Sequence, residues 1–566
     1  MSNIIERDYN LEAYENLCQA GFDDLFARIL AARGIKFAHE IEHSFQHLLH
    51  FSSMKNIDIA AHRIANAIIN NDKITIIADY DTDGATACAV AMGVLSEMGA
   101  NVDYLVPNRF TDGYGFNREL ADTAHQKNTK LIITVDNGIS AIDAIDYAQS
   151  LGMEVIVTDH HLAGEKLPNC IIVNPNQPEC PFPSKSLAGV GVIFYVLTAT
   201  RSLLKEQNYF NQNRPTPNLA NYLDLVAIGT IADIVPLDHN NRILVYQGLE
   251  RIKQQKTRIG IQALFDVAKR DINNVHTFDI SFGIAPRINA AGRLDDMSLG
   301  IQCLLSQNST EALELAKQLN TLNQDRRQIE QSMVNEVIKL PQPTLNEEQY
   351  TLCVFGEDWH EGVIGIVASR LKEHFYRPTI AFSRSCNGEL KGSGRSIENL
   401  HLRDALDITN KKNPNIILRF GGHAMAAGLT IREDAFNEFQ ATFEQTVSEL
   451  LTSAHLIKKY QTDGSLKTEQ ISIDTAKKIS EQIWGQNFVE PSFCDVFEKV
   501  SQKIVGEKHS KLFLQKDNKV FEAILFRHTD NLPNKLRLVY RPIINIWQDK
   551  EILQLHIQYW EEAKIS

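Results

Sequence analysis

Residues 73–84 read Lys-Ile-Thr-Ile-Ile-Ala-Asp-Tyr-Asp-Thr-Asp-Gly. The apolar, β-branched first half of this stretch is typical of a buried strand. It runs directly into three carboxylates on alternate residues, Asp79, Asp81 and Asp83. Carboxylates so close together repel one another unless a cation lies between them, and oxygen ligands suit Mg²⁺ and Mn²⁺. The stretch predicts a divalent-metal site at the end of a strand, although a solvated acidic turn explains it equally well when it is taken alone.

The same arrangement recurs twice downstream. Predicted strands at 131–135 and 154–158 end in Asp136-Asn-Gly138 and in Asp159-His160-His161. Helical patterns separate these strands, and the alternation predicts an α/β domain with a mostly parallel sheet and helices on both faces. Ligand sites in such sheets lie outside the carboxyl ends of the strands. We therefore expect the three polar clusters to meet at one edge of the sheet.

Two further carboxylates lie in an apolar stretch of the sequence. Residues 221–237 are predicted to form a buried helix followed by a turn, and they contain Asp224 and Asp233. A buried carboxylate is costly unless it is paired or bound to a metal. Asp233 lies near the predicted end of the helix and is the better candidate ligand, whereas Asp224 is predicted to be a structural partner.

Residues 286–293, Pro-Arg-Ile-Asn-Ala-Ala-Gly-Arg, place Arg287 and Arg293 around small residues. Arginine suits phosphate oxygens, and small residues allow a close approach of the backbone. A loop that is salt-bridged to the acidic edge is an equally good interpretation, so both stay open at this point.

Two glycine-rich stretches follow, at 392–396 and 421–428, and both are predicted to be turns. Their backbone amides, with Arg395 and His423, would make an anion-binding cradle. From about residue 460, short alternating runs predict a small antiparallel barrel of the OB type. Its basic residues either line a single-stranded nucleic acid or are ordinary surface residues; they are Lys508, Lys511, Arg527, Lys535 and Arg537.

The chain has 566 residues, which is too long for one core, and its patterns divide it into five parts. They are an N-terminal helical segment (1–50), an α/β domain (51–307), a long connector helix (308–345), a second α/β domain (346–455) and the small β-barrel (456–566). The net charge of −13 provides no global basic field, so a nucleic-acid partner would need a local groove. The 8 cysteines include no Cys-x-x-Cys pair, and the amino terminus is charged. We expect a cytoplasmic protein without a signal peptide or disulfide framework.

One motif points elsewhere. His39-Glu-Ile-Glu-His43 matches the His-Glu-x-x-His pattern of zinc proteases. A zinc site needs a third protein ligand and a buried, oriented surrounding. The neighbouring residues are polar, as on a solvated helix face, and we favour that interpretation.

Taken together, the motifs Asp79–Gly84, Asp136–Gly138 and Asp159–His161 resemble the signature set of the DHH phosphoesterase superfamily. A fuller set follows the same order through nearly the whole chain and is similar to that of the single-stranded-DNA-specific exonucleases of this superfamily. It comprises Asn108-Arg109, Asp112–Gly115, Gly229–Asp233, Arg287–Arg293, Gly394-Arg395 and Gly421–His423. The resemblance implies degradation of single-stranded DNA from 5′ to 3′ to mononucleotides by two-metal-ion phosphodiester hydrolysis, in DNA repair and recombination. It also implies that 51–307 is a DHH catalytic domain, 346–455 a DHHA1-type substrate-binding domain and 456–566 an OB-like nucleic-acid-binding domain.

The resemblance further implies roles for single residues. Two Mn²⁺ or Mg²⁺ ions would be held by Asp79, Asp81, Asp83, Asp136, His160 and Asp233, with Asp136 bridging. The catalytic residues would be Asp81, Asp83, Asp136, His160 and His161, with His161 facing the scissile phosphate and Asp159 orienting its neighbours. The DNA strand would contact Arg109, Tyr114, Arg287, Asn289, Arg293, Arg395 and His423. Implied partners are single-stranded DNA, a RecQ-type helicase and a single-strand-binding protein, and a monomer is expected.

Other functions remain open on the sequence. A DHH phosphodiesterase for short oligonucleotides or cyclic dinucleotides would use the same ligands, but it would not need the connector helix or the barrel. A non-catalytic single-strand-binding module would not need a complete set of metal ligands. The zinc protease is the third alternative.

Overall fold

The computed structural model describes residues 3–109, 115–339, 349–385, 388–547 and 550–563. The chain forms two compact units, one of residues 4–320 and 460–566 and the other of residues 321–459 with residues 1–3. The first unit contains a parallel sheet with its helices and a closed barrel, and the second contains a mixed sheet. None of the described helices is long and apolar enough to cross a membrane.

The N-terminal segment is helical only in part. It comprises strand β1 (Ile4–Glu6), helices α1 (Leu11–Gln19) and α2 (Asp24–Ala31), and three short 3₁₀ turns between residues 38 and 53. The predicted continuous helix through the histidine-rich stretch is wrong. Ser44 and His50 each accept a bond from the backbone of a new turn, at Gln46 and Ser52. Such local side-chain bonds compete with a continuous helix.

The predicted parallel sheet is confirmed. Its strands are β2 (Lys73–Ala78), β3 (Asn101–Leu105), β4 (Leu131–Val135), β5 (Glu154–Thr158) and β6 (Ile171–Val173), in the order β3-β2-β4-β5-β6 with every pairing parallel. In the registered pairs, Ala78 lies beside Val135, and Val135 lies beside Thr158. The next residue of each strand is an aspartate, so this register alone aligns Asp79, Asp136 and Asp159 along the carboxyl edge.

The helices between residues 57 and 339 belong to the first unit, except that the last of them runs past residue 320 into the second unit. They are α3 (Ile57–Asn70), α4 (Thr82–Glu97), α5 (Arg118–Gln126), α6 (Ile142–Ser150), α7 (Gly189–Glu206), α8 (Leu223–Ala232), α9 (His239–Lys253), α10 (Ile259–Ala268), α11 (Thr277–Asp279), α12 (Ala285–Leu294), α13 (Ser298–Leu305) and the connector α14 (Ser309–Lys339). A π-helical turn (Ile280–Ile284) leads into α12. The predicted long connector helix is confirmed.

Two residues do not adopt the structure that their types favour, since glycine is typical of a turn and serine of a helix N-cap, and one stretch that was left open between a loop and a binding site is a helix. Helix α4 begins at Thr82, so Gly84 is helical; a Cβ there would lie 2.4 Å from the Asp79 carbonyl oxygen. Ser140 does not cap α6, which begins after Ala141 without a side-chain cap. The stretch with Arg287 and Arg293 is not a loop but helix α12.

The second unit contains β7 (Leu352–Gly356), α15 (Ile364–Phe375), β8 (Thr379–Arg384), β9 (Glu389–Arg395), α16 (Leu402–Lys412), β10 (Ile417–Gly422), β11 (Ala426–Arg432) and α17 (Phe436–Leu450). The strand order is β10-β11-β9-β8-β7. Of the two predicted glycine-rich turns, the one at 392–396 is wrong, because residues 392–395 lie in β9. The one at 421–428 is confirmed, because these residues form the β10–β11 hairpin with its turn at 423–425. Glycine is needed in β9 for packing, since a Cβ on Gly392 would lie 2.5 Å from the Phe382 ring.

The C-terminal region forms the predicted small barrel, but not with wholly antiparallel strands, because residues 522–525 pair in parallel with residues 554–557. After β12 (Tyr460–Thr462) and α18 (Ile473–Ser480), the strands β13 (Phe493–Val505), β14 (His509–Lys516), β15 (Lys519–Leu525), β16 (Lys535–Trp547) and β17 (Lys550–Glu562) close in the order β13-β14-β15-β17-β16. Strand β12 pairs with β1, which the sequence did not indicate. Of the basic residues considered for nucleic-acid binding, Lys511 is ion-paired with Glu522 and Arg537 with Glu561. These two are therefore already neutralised within the barrel.

Candidate metal centre

Side chains from the ends of three strands and one helix meet at the carboxyl edge of the parallel sheet. Ligand-type atoms lie within 4.8 Å of one another in three groups: Asp79, Asp81 and Asp136; Asp83, His160 and Asp233; and Asp136, His160 and His161. The groups share Asp136 and His160, so they form one continuous centre. The structure thus brings together the residues that were expected to bind metal. They had been chosen because they follow predicted strands or lie at the end of α8.

The acidic turn after β2 is held rigidly by backbone donors. Asp81 is the N-cap of α4, and its Oδ1 accepts a bond from the Gly84 amide at 3.0 Å. Asp83 receives two bonds from the start of α7, at 2.6 Å from the Gly189 amide and 3.0 Å from the Val190 amide. A helix N-terminus offers unsatisfied N–H groups and a positive end of its dipole. Helix α7 thus fixes the position of the Asp83 carboxylate.

Asp136 sits in a strained turn. Its φ of +62° lies in the left-handed region, which is uncommon for a non-glycine residue. The next residue, Asn137, donates to the carbonyls of Ile77 and Val135 at 3.0 and 2.9 Å and so links the ends of two adjacent strands. Strained conformations of this kind occur at functional sites where the surroundings fix them. Here the surroundings aim the Asp136 carboxylate at the centre.

The two histidines have different partners. His160 Nε2 lies 3.2 Å from Asp136 Oδ1 and 3.4 Å from Asp233 Oδ2. His161 Nδ1 lies 2.8 Å from Asp159 Oδ1, which also accepts the backbone amides of both histidines. The expectation that Asp159 orients its neighbours agrees with these bonds. His160 faces the carboxylates, and His161 is held beside them.

The charges at this centre strongly perturb one another. Burial, followed by repulsion from neighbouring carboxylates, raises the pKa of Asp79, Asp136 and Asp233 well above the usual range. The same two causes, burial and the Asp81 charge, raise the pKa of Asp83 to about 7. Burial acts against the positive charge of His161, but the hydrogen bond to Asp159 prevails and raises its pKa to about 9. The centre is an uncompensated negative cluster with one cationic imidazole at its margin.

A divalent cation fits this centre. Among the described residues, no donor reaches the buried Oδ1 atoms of Asp79 and Asp136 with hydrogen-bond geometry. Buried oxygens without donors are costly, and carboxylates with an imidazole are the donor set that Mn²⁺ accepts and Mg²⁺ tolerates. The residues present therefore meet the requirements of a hard-cation site.

Asp224 of α8 has the structural role that was predicted for it. Asp224 is buried and forms an ion pair with Arg258, with a further bond from the Thr257 hydroxyl at 2.8 Å. Asp233, in contrast, is the C-cap of α8 and keeps about a quarter of its side chain exposed.

Three of the predicted DNA contacts lie around the acidic turn. Arg109 stacks on the Tyr80 ring, with its guanidinium carbon 4.3 Å from the ring centroid. Asn289 Oδ1 accepts the Thr82 amide at 2.9 Å, which fixes α12 against the turn. Arg293 is partly exposed near the end of α12. Tyr114 and most of its motif lie outside the described residues.

Arg287 does not occupy the expected surface position. Its side chain is 8% exposed and donates to the Gly283 carbonyl and, at 3.0 Å, to Asn320 Oδ1. These bonds join the π-helical turn and α14 to α12. The structure therefore favours a packing role over a phosphate contact for this arginine.

The remaining predicted contacts belong to the second unit. Arg395 ends β9 and donates to the Gly394 carbonyl at 2.8 Å, and burial lowers its pKa. His423 lies in the turn between β10 and β11, where its amide donates to the Ala426 carbonyl at 2.8 Å and its residue is exposed.

The zinc-protease motif does not form a metal site. His43 stacks on Tyr246 with ring centroids 4.4 Å apart, and burial and nearby positive charges lower its pKa to about 4. Within the described ranges, the histidines of this region join no group of metal-ligand spacing. The expectation that this motif binds no zinc agrees with the structure, but the expected solvated helix face is wrong, because the stretch forms separate 3₁₀ turns and His43 is largely buried.

Sequence reasoning assigned no role to two glycines that make the centre possible. A Cβ on Gly189 would lie 2.5 Å from Asp136 Cβ, and a Cβ on Gly229 would lie 2.8 Å from Asp83 Oδ1. Both allow a helix to approach a carboxylate closely. Gly189 is more than fifty residues from Asp136 in sequence. The only sequence signal for its role is its position at the start of an apolar helix.

Three domain families match this chain. The DHH family, N-terminal domain, matches residues 73–230, the DHHA1 domain matches residues 347–449, and the RecJ OB domain matches residues 462–559. Their order agrees with the α/β domain, the second α/β domain and the barrel of the structure.

Similar proteins agree over nearly the whole chain. The single-stranded-DNA-specific exonuclease RecJ of Escherichia coli is 44% identical over 94% of this chain and 95% of its own length. The structure of RecJ from Thermus thermophilus with Mn²⁺ superimposes with a TM-score of 0.83 at 26% identity, covering 99% of this chain and 79% of that one. The Mg²⁺ complex of the same protein gives a TM-score of 0.78 at 25% identity, over 99% and 78% of the two chains. The chain therefore belongs to the RecJ family of single-stranded-DNA-specific exonucleases.

Proposed function

We propose that this chain is a metal-dependent exodeoxyribonuclease that degrades single-stranded DNA from the 5′ end to mononucleotides, in DNA repair and recombination. The observation that carries the proposal is the convergence of Asp79, Asp81, Asp136 and the His160–Asp233 pair on one centre. Family membership supports the choice of substrate. The closed barrel and the long connector helix favour a long strand over a dinucleotide, because small substrates need neither.

Two divalent ions, Mn²⁺ or Mg²⁺, would supply activation of water and polarisation of the phosphoryl group when bound. The ligands would be Asp79, Asp81, Asp83, Asp136, His160 and Asp233. Asp83 has a second task, because both of its oxygens accept amides of α7 and so set the distance between that helix and the ligands. A ligand that cannot move keeps the reacting groups aligned, which is worth several kcal/mol in catalysis.

His161 is suited to act on the phosphate. Its Nδ1 is engaged by Asp159, and the hydrogen bond to this carboxylate favours the protonated ring. Nε2 is then the nitrogen that would donate to a phosphate oxygen, stabilising charge that develops in the transition state. Asp159 is buried and acts through His161, so it is a positioning residue.

The DNA strand would be held by the other residues of the predicted contact set. Arg109, ordered by its stacking on Tyr80, would neutralise a phosphate. Asn289 and Arg293 would extend the contact along α12, and Arg395 and His423 would contribute phosphate contacts from the second unit. Arg287 is left out because it is buried.

The test is digestion of 5′-labelled and 3′-labelled single strands and of duplex DNA, with Mn²⁺ and with a chelator. We expect metal-dependent release of mononucleotides from the 5′ end of the single strand only. Asp136→Ala should abolish release, whereas Asp146→Ala, at an exposed position of α6, should not. Retained activity in a folded Asp136→Ala protein, or equal cleavage with chelator, would refute the proposal.

The proposal extends to the cell. An enzyme for single strands requires an activity that exposes them, for which a RecQ-type helicase and a single-strand-binding protein are the expected partners, and a monomer is the expected active form. Each of the seven described cysteines is a free thiol. Free thiols agree with a reducing compartment, and we propose the cytoplasm.

A further inference from the structure

An apolar pocket opens beside the candidate metal centre. Its volume is about 350 Å³, and it lies between the end of α8, the π-helical turn, the start of α12 and the segment at residues 484–486 before the barrel. Ala232 and Ile234, on either side of Asp233, line it, and so does Asn289. The pocket therefore adjoins Asp233 along the chain, and through Asn289 it adjoins the acidic turn after β2.

Two large apolar side chains at this pocket are exposed rather than buried. Ile234 is 68% exposed and Phe282 is 58% exposed. Phe282 lies on the π-helical turn and packs against Phe278 with ring centroids 4.6 Å apart. π-Helical turns occur frequently at functional sites, and exposed apolar groups that cluster together mark binding surfaces.

Ile234 is also strained. Its φ of +58° lies in the left-handed region, which is a marked exception for a β-branched residue. Glycine would adopt this conformation without strain. A β-branched residue here exposes its side chain at the pocket at a cost in backbone energy, which is the pattern expected where the side chain has a use.

The back wall of the pocket is fixed. Trp484 is buried, donates from Nε1 to the Ile479 carbonyl at 2.6 Å and stacks on Phe488. The Leu237 amide donates to the Gln486 carbonyl at 2.9 Å, which ties the segment to the end of the α8 turn. The pocket is thus formed before any ligand arrives, as small-ligand sites usually are.

We infer that this pocket binds one unpaired base of the substrate strand, next to the scissile nucleotide. This inference rests on the proposed function. The chemistry is complementary, because a base has apolar faces that suit Ile234 and Phe282, and polar edges that suit Asn289 and the exposed Gln486. A base that enters the pocket cannot remain paired or stacked in a duplex. The pocket therefore contributes to selection of single strands in addition to holding them.

The experiment is an abasic scan. Single strands with one abasic residue at each of the first positions from the 5′ end are compared with the intact strand, both in Mn²⁺-dependent cleavage and in equilibrium binding with Ca²⁺. We expect one position, and not its neighbours, to lose about tenfold in affinity or kcat/KM, the scale of one lost base-stacking contact. Ile234→Gly and Phe282→Ala should lose a similar factor on the intact strand, through KM, and should be insensitive to the abasic residue.

The controls distinguish base binding in the pocket from a general loss of stability or of exposed apolar surface. Ile234→Gly should have a thermal midpoint no lower than that of the wild type, since glycine relieves the strain. Ile59→Ala removes an equally exposed side chain, 57% exposed on α3, and should bind and cleave normally. Wild-type KM in both pocket variants, or an unchanged abasic penalty, would overturn the inference. Absence of all cleavage would refute the proposed function, while the binding arm would still test the pocket.

Discussion

Substitution of Gly189 by alanine tests how tightly the centre is built. The new Cβ would lie 2.5 Å from Asp136 Cβ and 2.6 Å from Asp136 Oδ1. The first distance falls about 0.9 Å short of the 3.4 Å at which ordinary contact begins. Either α7 or the Asp136 turn must move, and both are fixed, the helix by the bonds from its first amides to Asp83 and the turn by Asn137.

Two magnitudes follow. Overpacking of this kind costs about 1–3 kcal/mol of folding stability, which the better helix propensity of alanine partly offsets. A misplacement of about 1 Å at a catalytic group lowers the rate by about 100-fold. We therefore expect Gly189→Ala to remain folded, to bind Mn²⁺ more weakly and to lose about 100-fold in kcat on a labelled single strand.

The matched control is Gly191→Ala, two residues farther along the same helix. There the new Cβ would meet only Leu187 Cδ2, at 3.1 Å, and a leucine methyl group can shift. Calorimetric titration with Mn²⁺ and initial rates of nucleotide release measure both effects. Wild-type metal affinity and kcat in Gly189→Ala would refute the view that this glycine keeps α7 clear of Asp136, and equal losses in the two variants would attribute the effect to the helix as a whole.

Two further predictions concern stability. The pKa of His43 is lowered to about 4 by burial, Arg242 and His239, below the value of about 6.5 in an unfolded chain. Protons therefore favour the unfolded chain. The contribution of His43 to stability is complete above pH 6.5 and declines by about 2 kcal/mol as the pH falls toward 4, after allowance for the exposed part of the ring. His43→Phe should make the thermal midpoint depend less on pH over this range, and an unchanged dependence would contradict the assignment. The Arg33–Asp463 pair joins the turn after α2 to the residue after β12, and both side chains are 1% exposed. Arg33→Leu should therefore cost about 3–5 kcal/mol in denaturant unfolding, and more than the double Leu variant, which leaves neither member of the pair without the other. An equal or greater loss in the double variant would be the contrary result.

The parts of the centre that lie at strand ends could be predicted from sequence. In a parallel sheet, a carboxylate that directly follows an apolar strand lies at the carboxyl edge of the sheet. The register of the strands then places Asp79 beside Asp136. Arg287 could not be placed in the same way. Its environment depends on a π-helical turn and on Asn320, and no local periodicity reports on either.

Close approach is the other property that sequence hides. Glycine in the stretches at 392–396 and 421–428 suggested turns, because turns are the commonest reason for glycine. In the structure Gly392 instead leaves room for Phe382, as Gly189 leaves room for Asp136. A glycine in the sequence thus indicates either that a neighbouring group approaches closely or that the backbone adopts an unusual conformation. Only the structure, which shows the neighbouring group, distinguishes the two.

Rigidity connects the fold to the choice of ligand. Mutual repulsion among carboxylates could be relieved if their side chains turned away into water, but here each is held by the main chain: Asp81 by its capping bond, Asp83 by two helix amides, and Asp136 by a left-handed turn. The repulsion therefore remains in the folded state. Burial and, after it, this repulsion raise the pKa of Asp83 and Asp136, so these groups take up either protons or cations. A divalent ion relieves the repulsion of several carboxylates at once, whereas a proton relieves that of one. The hydrogen bonds that hold the carboxylates together raise the free energy of the folded chain when no cation is bound. The same bonds therefore make this edge of the sheet selective for a divalent cation.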